Sequence, residues 1–283
     1  MVSDRFCRRS KIPILLIMKK LPNLLRFRKL LPLLFLPFFI LASCSKDDDD
    51  PGNFNKDHSL NKKSVGSSAH DLLSSDKFKK VIVEIQYMQG FEPTQTAINN
   101  LKTFMEQRLN KPEGITIKQK QIPASGKATY TVNEIADIES QNREEFTTPD
   151  QLAIYFLFAD NPSASNTSSG KVLGQAYWNT SMVVYEKTVQ ELSGDLTQPS
   201  QATLETVILD HELGHILGLV NVGTAMVTNH QDSDASHGAH CNNTNCLMYW
   251  GVETDDVVKN LLGGTVPQLD QNCLNDLRNN GGK

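Results

Sequence analysis

The sequence predicts an α+β fold: helices packed on a mixed, twisted β-sheet, followed by a smaller, irregular or helical C-terminal lobe. Three observations predict it. Segments with the alternation of strands and segments with helical periodicity follow one another in the order β-α-β-α-β-β-β-α. The apolar run 152–159 has the length of a strand buried on both faces. The 283 residues, 39% hydrophobic and 21% charged, suffice for a sizeable core and exclude a disordered chain or a protein with many membrane spans.

Each element follows from a local pattern. Alternating and β-branched residues predict strands, and apolar residues three or four positions apart predict helices. The helix after the first strand begins at Pro93, where the missing N–H is tolerated. In chain order, the predicted elements are a strand at 81–88, a helix at 93–110, a strand at 115–122, a helix at 133–146, a strand at 152–159, one or two strands within 172–188, a long helix at 200–218, and helical segments at 253–262 and 267–279.

The N-terminal residues resemble a secretory signal peptide. Basic residues up to Lys29 precede the uncharged run 30–42, which is short for a membrane-spanning helix. The run ends in LASC, which resembles a bacterial lipobox, so we expect residues 1–43 to be removed and Cys44 to be lipidated, with Met18 as an alternative start. The resemblance implies a membrane-tethered lipoprotein of the bacterial cell envelope, at the outer membrane or cell surface. A plain signal peptide or a single anchor helix is the alternative.

Composition divides the rest of the chain. Residues 44–75 are polar and rich in Ser, Asp and Lys, which predicts a flexible tether, and residues 76–283 form the folded domain. The first 43 residues carry nine of the 28 Lys and Arg but one of the 32 Asp and Glu, so the remainder has 19 bases against 31 acids, a net charge of −12. Such an acidic domain repels phosphate, and we expect no nucleic-acid partner.

The long predicted helix carries a metal-binding pattern, H-E-x-x-H. On a helix, His211 and His215 lie one turn apart on one face, so both imidazoles can bind one Zn²⁺. Glu212 then lies where it can take a proton from water at the metal. Gly218 allows the helix to end and the chain to turn toward the metal, since glycine adopts positive φ at low cost. Two histidines on an ordinary buried or surface helix are the alternative.

A second block, HCNNTNCLMY, adds a third histidine and a methionine downstream. HExxHxxG followed by a third His and then a Met resembles the metzincin clan of zinc metalloproteases, and H-C-x4-C-x-M resembles the archaemetzincins in particular. The resemblance implies a metzincin-like catalytic domain with an edge strand over the cleft. It implies that His211, His215 and His240 bind zinc. Glu212 is then the general base, and Met248 lies in a tight turn beneath the metal.

The chain departs from the clan in the spacing of the third ligand. Asn221 stands where the clan has that ligand, and an amide is a poor zinc ligand. With His240 as the ligand, residues 219–239 contain an insertion relative to the family pattern. His230 and His237 lie inside this segment and are the alternative third ligands. A second cation held by some of its polar residues is a further alternative.

Cysteine pairing stays open in the sequence. Cys241, Cys246 and Cys273 remain once the signal peptide and Cys44 are set aside. The archaemetzincin pattern includes a later C-x-x-C that completes a second zinc site, whereas here only Cys273 follows. Beyond the inner membrane an oxidising compartment favours a disulfide, and Cys241–Cys246, Cys246–Cys273 and Cys241–Cys273 are all compatible with the spacing.

The predicted function is a zinc-dependent metallopeptidase, an endopeptidase that hydrolyses a peptide or protein substrate with one catalytic Zn²⁺ and Glu212 as base. We expect a monomer, held at the membrane by the lipid on Cys44. Two other functions remain: a non-catalytic, zinc-stabilised surface binding lipoprotein, and another zinc hydrolase, such as an amidase, with the same water chemistry. The intact Glu212 favours an enzyme, since a binding module has no need of it.

Overall fold

The computed structural model describes residues 58–168, 170–252, 254, 255, 257, 258, 261 and 265–283. The predicted signal peptide, the predicted lipidation site Cys44 and the first part of the predicted tether lie outside these residues, as does much of the helical segment predicted at 253–262. Within the described ranges, no helix combines the length and the apolar character that crossing a membrane requires.

A five-stranded sheet forms the centre of the fold. Its strands are β1 Val81–Met88, β2 Ile115–Ile122, β3 Leu152–Phe158, β4 Gly174–Trp178 and β5 Ser181–Val184. Their order in the sheet is β2-β1-β3-β5-β4. The first four strands in this order pair in parallel, and β4 runs antiparallel to β5 at the edge. The mixed sheet predicted from the sequence is therefore confirmed.

Four α-helices of the described residues lie close to the helices predicted at 93–110, 133–146, 200–218 and 267–279, whereas those at Ala69–Leu73 and Glu186–Glu191 were not predicted. The side chains of Thr94, Thr131 and Ser200 each accept a backbone N–H bond at the start of a helix, which fixes where three of these helices begin. The helices are α1 Ala69–Leu73, α2 Gln95–Arg108, α3 Val132–Asn142, α4 Glu186–Glu191, α5 Gln201–Ile216 and α6 Gln271–Asn279.

The central strand β3 is buried along its whole length. Ile154 and Phe156 belong to the larger apolar cluster, which also contains the inward residues of α2 and α5. Tyr155 and Leu157 point to the opposite face, where they pack in a smaller cluster with Ile135 of α3. Helices on both faces explain why this strand has no polar positions and why its sequence reads as one continuous apolar run.

The helix α5 passes through the interior and is buried from Leu204 to Ile216. Its ionisable side chains are therefore enclosed together with its apolar ones. Burying such groups is costly unless each is held by hydrogen bonds or by a ligand. The buried ionisable residues of α5 are Glu205, Asp210, His211, Glu212 and His215.

The folded unit begins earlier than the predicted boundary at residue 76. Residues 58–61 form a 3₁₀ turn, α1 follows, and Leu72 and Leu73 are fully buried. The side chain of Asn61 accepts a hydrogen bond from Thr147 N–H and donates to the carbonyl oxygen of Ala153. Composition assigned this segment to the tether because its few buried residues stand among many polar ones. The part of the tether prediction that covers residues 58–75 is thus wrong.

Candidate metal centre and active site

Three histidine side chains converge at the C-terminal half of α5 and the loop that faces it. The ring centroids of His211 and His215 are 4.8 Å apart, those of His211 and His240 are 5.3 Å apart, and those of His215 and His240 are 4.9 Å apart. One ring nitrogen from each lies within 4.8 Å of the other two, and all three residues are buried. The structure thus brings together the three residues that the motif indicates.

The orientation of His211 suits a metal ligand. Its Nδ1 lies 2.6 Å from the carbonyl oxygen of Leu247, which can only accept, so Nδ1 carries the proton and Nε2 has the lone pair. The Nε2 atoms of His211 and His215 are 3.1 Å apart. Two nitrogens bound to one tetrahedral zinc lie about 3.3 Å apart, given Zn–N bonds of about 2.05 Å. The two imidazoles therefore fit a single ion.

A loop closed like a β-hairpin brings His240 to α5. Asp232 N–H donates to the carbonyl oxygen of His240, and Asn242 N–H donates to that of His230, both at 2.8 Å. These two bonds tie the two arms of the loop together. The insertion predicted within 219–239 folds back on itself, so the residue at its end reaches the other two histidines.

The other candidate third ligands lie outside this group. His237 stacks on Trp250, with ring centroids 4.2 Å apart and planes 8° from parallel. Asn221, at the family position for the third ligand, is exposed. It follows Gly218 in a turn where both residues have positive φ, 75° for Gly218 and 65° for Asn221. His230 belongs to a second group, described below.

Met248 lies directly against α5 between the two helical histidines. It is fully buried, and a Cβ placed on Gly214 would overlap its Sδ atom. Tyr249 N–H donates to the carbonyl oxygen of Cys246 at 3.0 Å, which closes a tight turn around Met248. This turn also presents the Leu247 carbonyl that orients His211. The turn therefore packs against α5 and helps to orient His211.

Glu212 projects into a cleft beside the histidines. Its Oε2 accepts the N–H of Ala176, on the edge strand β4, at 2.7 Å. The cleft has a volume of about 380 Å³, and Glu212, His215 and His240 line it together. The rest of its lining is mostly small or apolar: Val65, Ser165, Val172, Gly174, Gln175, Ala176, Val222 and Ala239. A carboxylate and an incomplete set of metal ligands thus face the same open space.

A second group of metal-ligating side chains lies on the other side of the hairpin. Ligand atoms of His230, Cys241, Asp270 and Cys273 lie within 4.8 Å of one another. His230 Nδ1 is 3.3 Å from Cys241 Sγ, and Cys246 Sγ is 3.6 Å from Cys273 Sγ. All three cysteines are free thiols in this structure. Both groups can hold a metal ion.

Comparisons with known proteins give structural similarities alone. No protein-family model matches the sequence, and no curated protein matches it. Among solved structures, the chain is similar to archaemetzincin (amzA) from Methanopyrus kandleri, with 16% identity and a TM-score of 0.48, over 71% of this chain and 96% of that one. It is also similar to metalloproteinase-II from Bacteroides fragilis, with 17% identity and a TM-score of 0.36, over 80% of this chain and 58% of that one.

Sequence reasoning missed the backbone and glycine contributions to this site. The Leu247 carbonyl and the Ala176 N–H orient His211 and Glu212, yet a backbone group leaves no trace in the residue type. The close contact at Gly214 could have been predicted, since a glycine inside a helix costs about 1 kcal/mol relative to alanine and therefore indicates a packing reason.

Proposed function

We propose that this protein is a zinc-dependent metallopeptidase that cleaves peptide or protein substrates as an endopeptidase. The observation that carries the proposal is the convergence of His211, His215 and His240 on one point, with Glu212 lining the same cleft. Three imidazole ligands with an open position are typical of catalytic zinc, whereas structural zinc has four protein ligands. The donor set also suits zinc better than Mg²⁺ or Ca²⁺, which prefer oxygen.

The residues of the chain have separate roles in this proposal. Zinc bound by the three histidines would polarise a carbonyl group and lower the pKa of water. Glu212 takes a proton from the attacking water and passes it to the leaving amine. The Leu247 carbonyl keeps the ring of His211 in the required orientation by accepting its Nδ1 proton.

Substrate binding is proposed along β4. This strand is at the edge of the described sheet, so one side of its backbone has no neighbouring strand, and an extended peptide can pair with it. The strand contributes Gly174, Gln175 and Ala176 to the cleft. A peptide lying along it would pass next to Glu212. A protein segment in extended form is therefore the substrate class that the cleft favours.

Two variants test the proposal. Glu212→Gln is expected to bind zinc like the wild type and to lose nearly all hydrolysis of a fluorogenic peptide library. Zinc binding without hydrolysis by the wild type would instead favour the zinc-stabilised binding protein. Wild-type hydrolysis of acyl amides but of no peptide would favour an amidase. Full peptidase activity in Glu212→Gln would remove this residue from the mechanism.

We propose further that the mature chain is a lipoprotein of the bacterial cell envelope, anchored through Cys44. The support is the LASC sequence after a basic and then an apolar stretch. Labelling with a tagged fatty acid in a bacterial host tests this. The wild type should incorporate the label and Cys44→Ser should not, and equal labelling of both would rule out Cys44 as the attachment site.

A further inference from the structure

The edge strand β4 lies directly over the side chain of Glu212. The N–H of Ala176 donates to Glu212 Oε2 at 2.7 Å. Gly174 stands two residues earlier, on the same side of the strand. A Cβ on Gly174 would lie 3.0 Å from both Cγ and Oε1 of Glu212, and 2.6 Å from Cγ2 of Ile208. The strand therefore contacts Glu212 in two ways: it donates a hydrogen bond at Ala176 and leaves a gap at Gly174.

Space, and not backbone conformation, requires glycine at position 174. Its φ lies outside the left-handed range that favours glycine. Non-bonded carbon atoms normally stay about 3.5–4.0 Å apart. Any side chain at this position must therefore displace Cγ2 of Ile208, which is packed in the core, and it also presses on the carboxylate arm of Glu212. The carboxylate arm faces the cleft and can move into it.

A fixed carboxylate matters because a glutamate has a long, flexible side chain. Ordering such a side chain costs up to about 1.5–2 kcal/mol. The Ala176 N–H holds one oxygen, and the neighbouring gap at Gly174 accommodates Cγ and the second oxygen. The arm is thus ordered before any substrate arrives. Misplacing a reacting group by about 1 Å can reduce a rate about 100-fold.

We propose that Gly174 and the backbone N–H of Ala176 position Glu212 for proton transfer. Gly174 is a positioning residue, since its proposed effect on the reaction is exerted through the position of Glu212. The inference rests on the proposed peptidase function, and it deepens that function by assigning the edge strand a second task besides peptide binding. It also explains why this strand begins with a glycine, a poor strand former.

The substitution Gly174→Ala tests the proposal, with Gly170→Ala as the matched control. A Cβ on Gly170 meets no atom within 4 Å, and its φ is also outside the left-handed range. Both variants are measured as zinc-loaded full chains. We expect Gly174→Ala to lower kcat by about 100-fold with KM and zinc content unchanged, and Gly170→Ala to match the wild type. If Gly174→Ala is unstable, Ile208→Ala in the same chain removes the 2.6 Å contact, and Ile208→Ala alone is then the reference.

Two readouts separate positioning from general damage. In a crystal structure of Gly174→Ala, the Ala176 N to Glu212 Oε2 distance should exceed 3.5 Å, the limit of a hydrogen bond. In the Glu212→Gln background, Gly174→Ala should cause no further loss of the residual rate, because the group it acts through is already gone.

The outcomes distinguish the inference from the function on which it rests. An active wild type with an equally active Gly174→Ala overturns the positioning role and leaves the peptidase standing. A loss of the same size in the Glu212→Gln background also overturns it. A wild type that cleaves no peptide overturns the proposed function itself.

Discussion

Replacing Asn61 by alanine tests whether the segment before α1 is part of the fold. The Asn61 side chain is 1% exposed. Its Oδ1 accepts from Thr147 N–H at 2.9 Å, and its Nδ2 lies 3.0 Å from three acceptors, the Ala153 carbonyl and the hydroxyls of Thr147 and Thr180. These partners lie on β3, on the loop before it, and just before β5. One side chain thus joins the N-terminal segment to three other parts of the chain.

The expected loss of stability follows from these bonds. The amide has two protons for its three acceptors and one oxygen that accepts, so it makes about three hydrogen bonds at once; each is worth about 1 kcal/mol net, and losing them costs about 3 kcal/mol. The Ala153 carbonyl still accepts from Arg143 Nη2 at 3.0 Å, so it does not add the penalty of an unpaired buried group. For a folded unit of this size, 1 kcal/mol corresponds to about 2–4 °C, and Tm should fall by about 6–12 °C.

Differential scanning calorimetry on the zinc-loaded protein measures this shift. Lys63→Ala is the matched control, because the Lys63 side chain is exposed and its loss should change stability by less than about 0.5 kcal/mol. A Tm for Asn61→Ala equal to that of Lys63→Ala would refute the reasoning and would indicate that residues 58–75 belong to the flexible tether.

Three further predictions concern the metal groups and a buried carboxyl. His240→Ala should weaken zinc binding by more than about 100-fold in a chelator competition, since losing a hydrogen-bond partner of a metal ligand already costs about 10–100-fold. The control His237→Ala should bind zinc like the wild type. Weak binding by His237→Ala and normal binding by His240→Ala would make His237 the ligand. Cys273→Ser should lower the zinc content from two ions per chain to one by mass spectrometry, and one ion in the wild type would leave the second group without metal. Burial and the neighbouring charge of Glu205 raise the pKa of Glu186 well above its ordinary value. The folded state therefore keeps a proton that the unfolded chain releases above pH about 4.3. Because the folded state binds more protons, the stability of the wild type falls as pH rises. In urea unfolding, the free energy of unfolding of Glu186→Gln should therefore increase relative to that of the wild type as the pH is raised from 4 to 8. A difference between the two proteins that does not change with pH would contradict the raised pKa.

Much of the secondary structure was predictable because its signals are local, although α1 and α4 were not predicted. Strands β1 and β2 have the bounds that their alternating residues predicted, and α5 begins and ends within two residues of its prediction. Periodicity and capping residues act over a few positions and need no knowledge of the rest of the fold. The same holds for His211 and His215, whose spacing alone places them on one face of a helix.

The third histidine was not predictable in the same way. His230, His237 and His240 are alike in residue type and lie within one segment. What separates them is the pairing of the two arms of a loop, through bonds between backbone groups distant in sequence. Backbone pairing of this kind depends on tertiary contacts, so the sequence left three alternatives where the structure has one arrangement.

The predicted start of the folded domain at residue 76 was wrong for a related reason. Composition averages over a segment, and the segment around Asn61 is polar on average. A buried asparagine has the residue type of a loop but the contacts of a core residue, because its amide can satisfy several backbone groups at once. Such a role becomes visible only when its partners are known.

Residues 240 and 241 are neighbours in the chain, yet His240 faces one metal-ligating group and Cys241 faces the other. A single peptide unit therefore separates the two groups. An ion bound on either side would restrain the dihedral angles that orient a ligand of the opposite side. Any effect of one ion on the affinity for the other would be returned with the same size, because coupling between two binding sites is reciprocal.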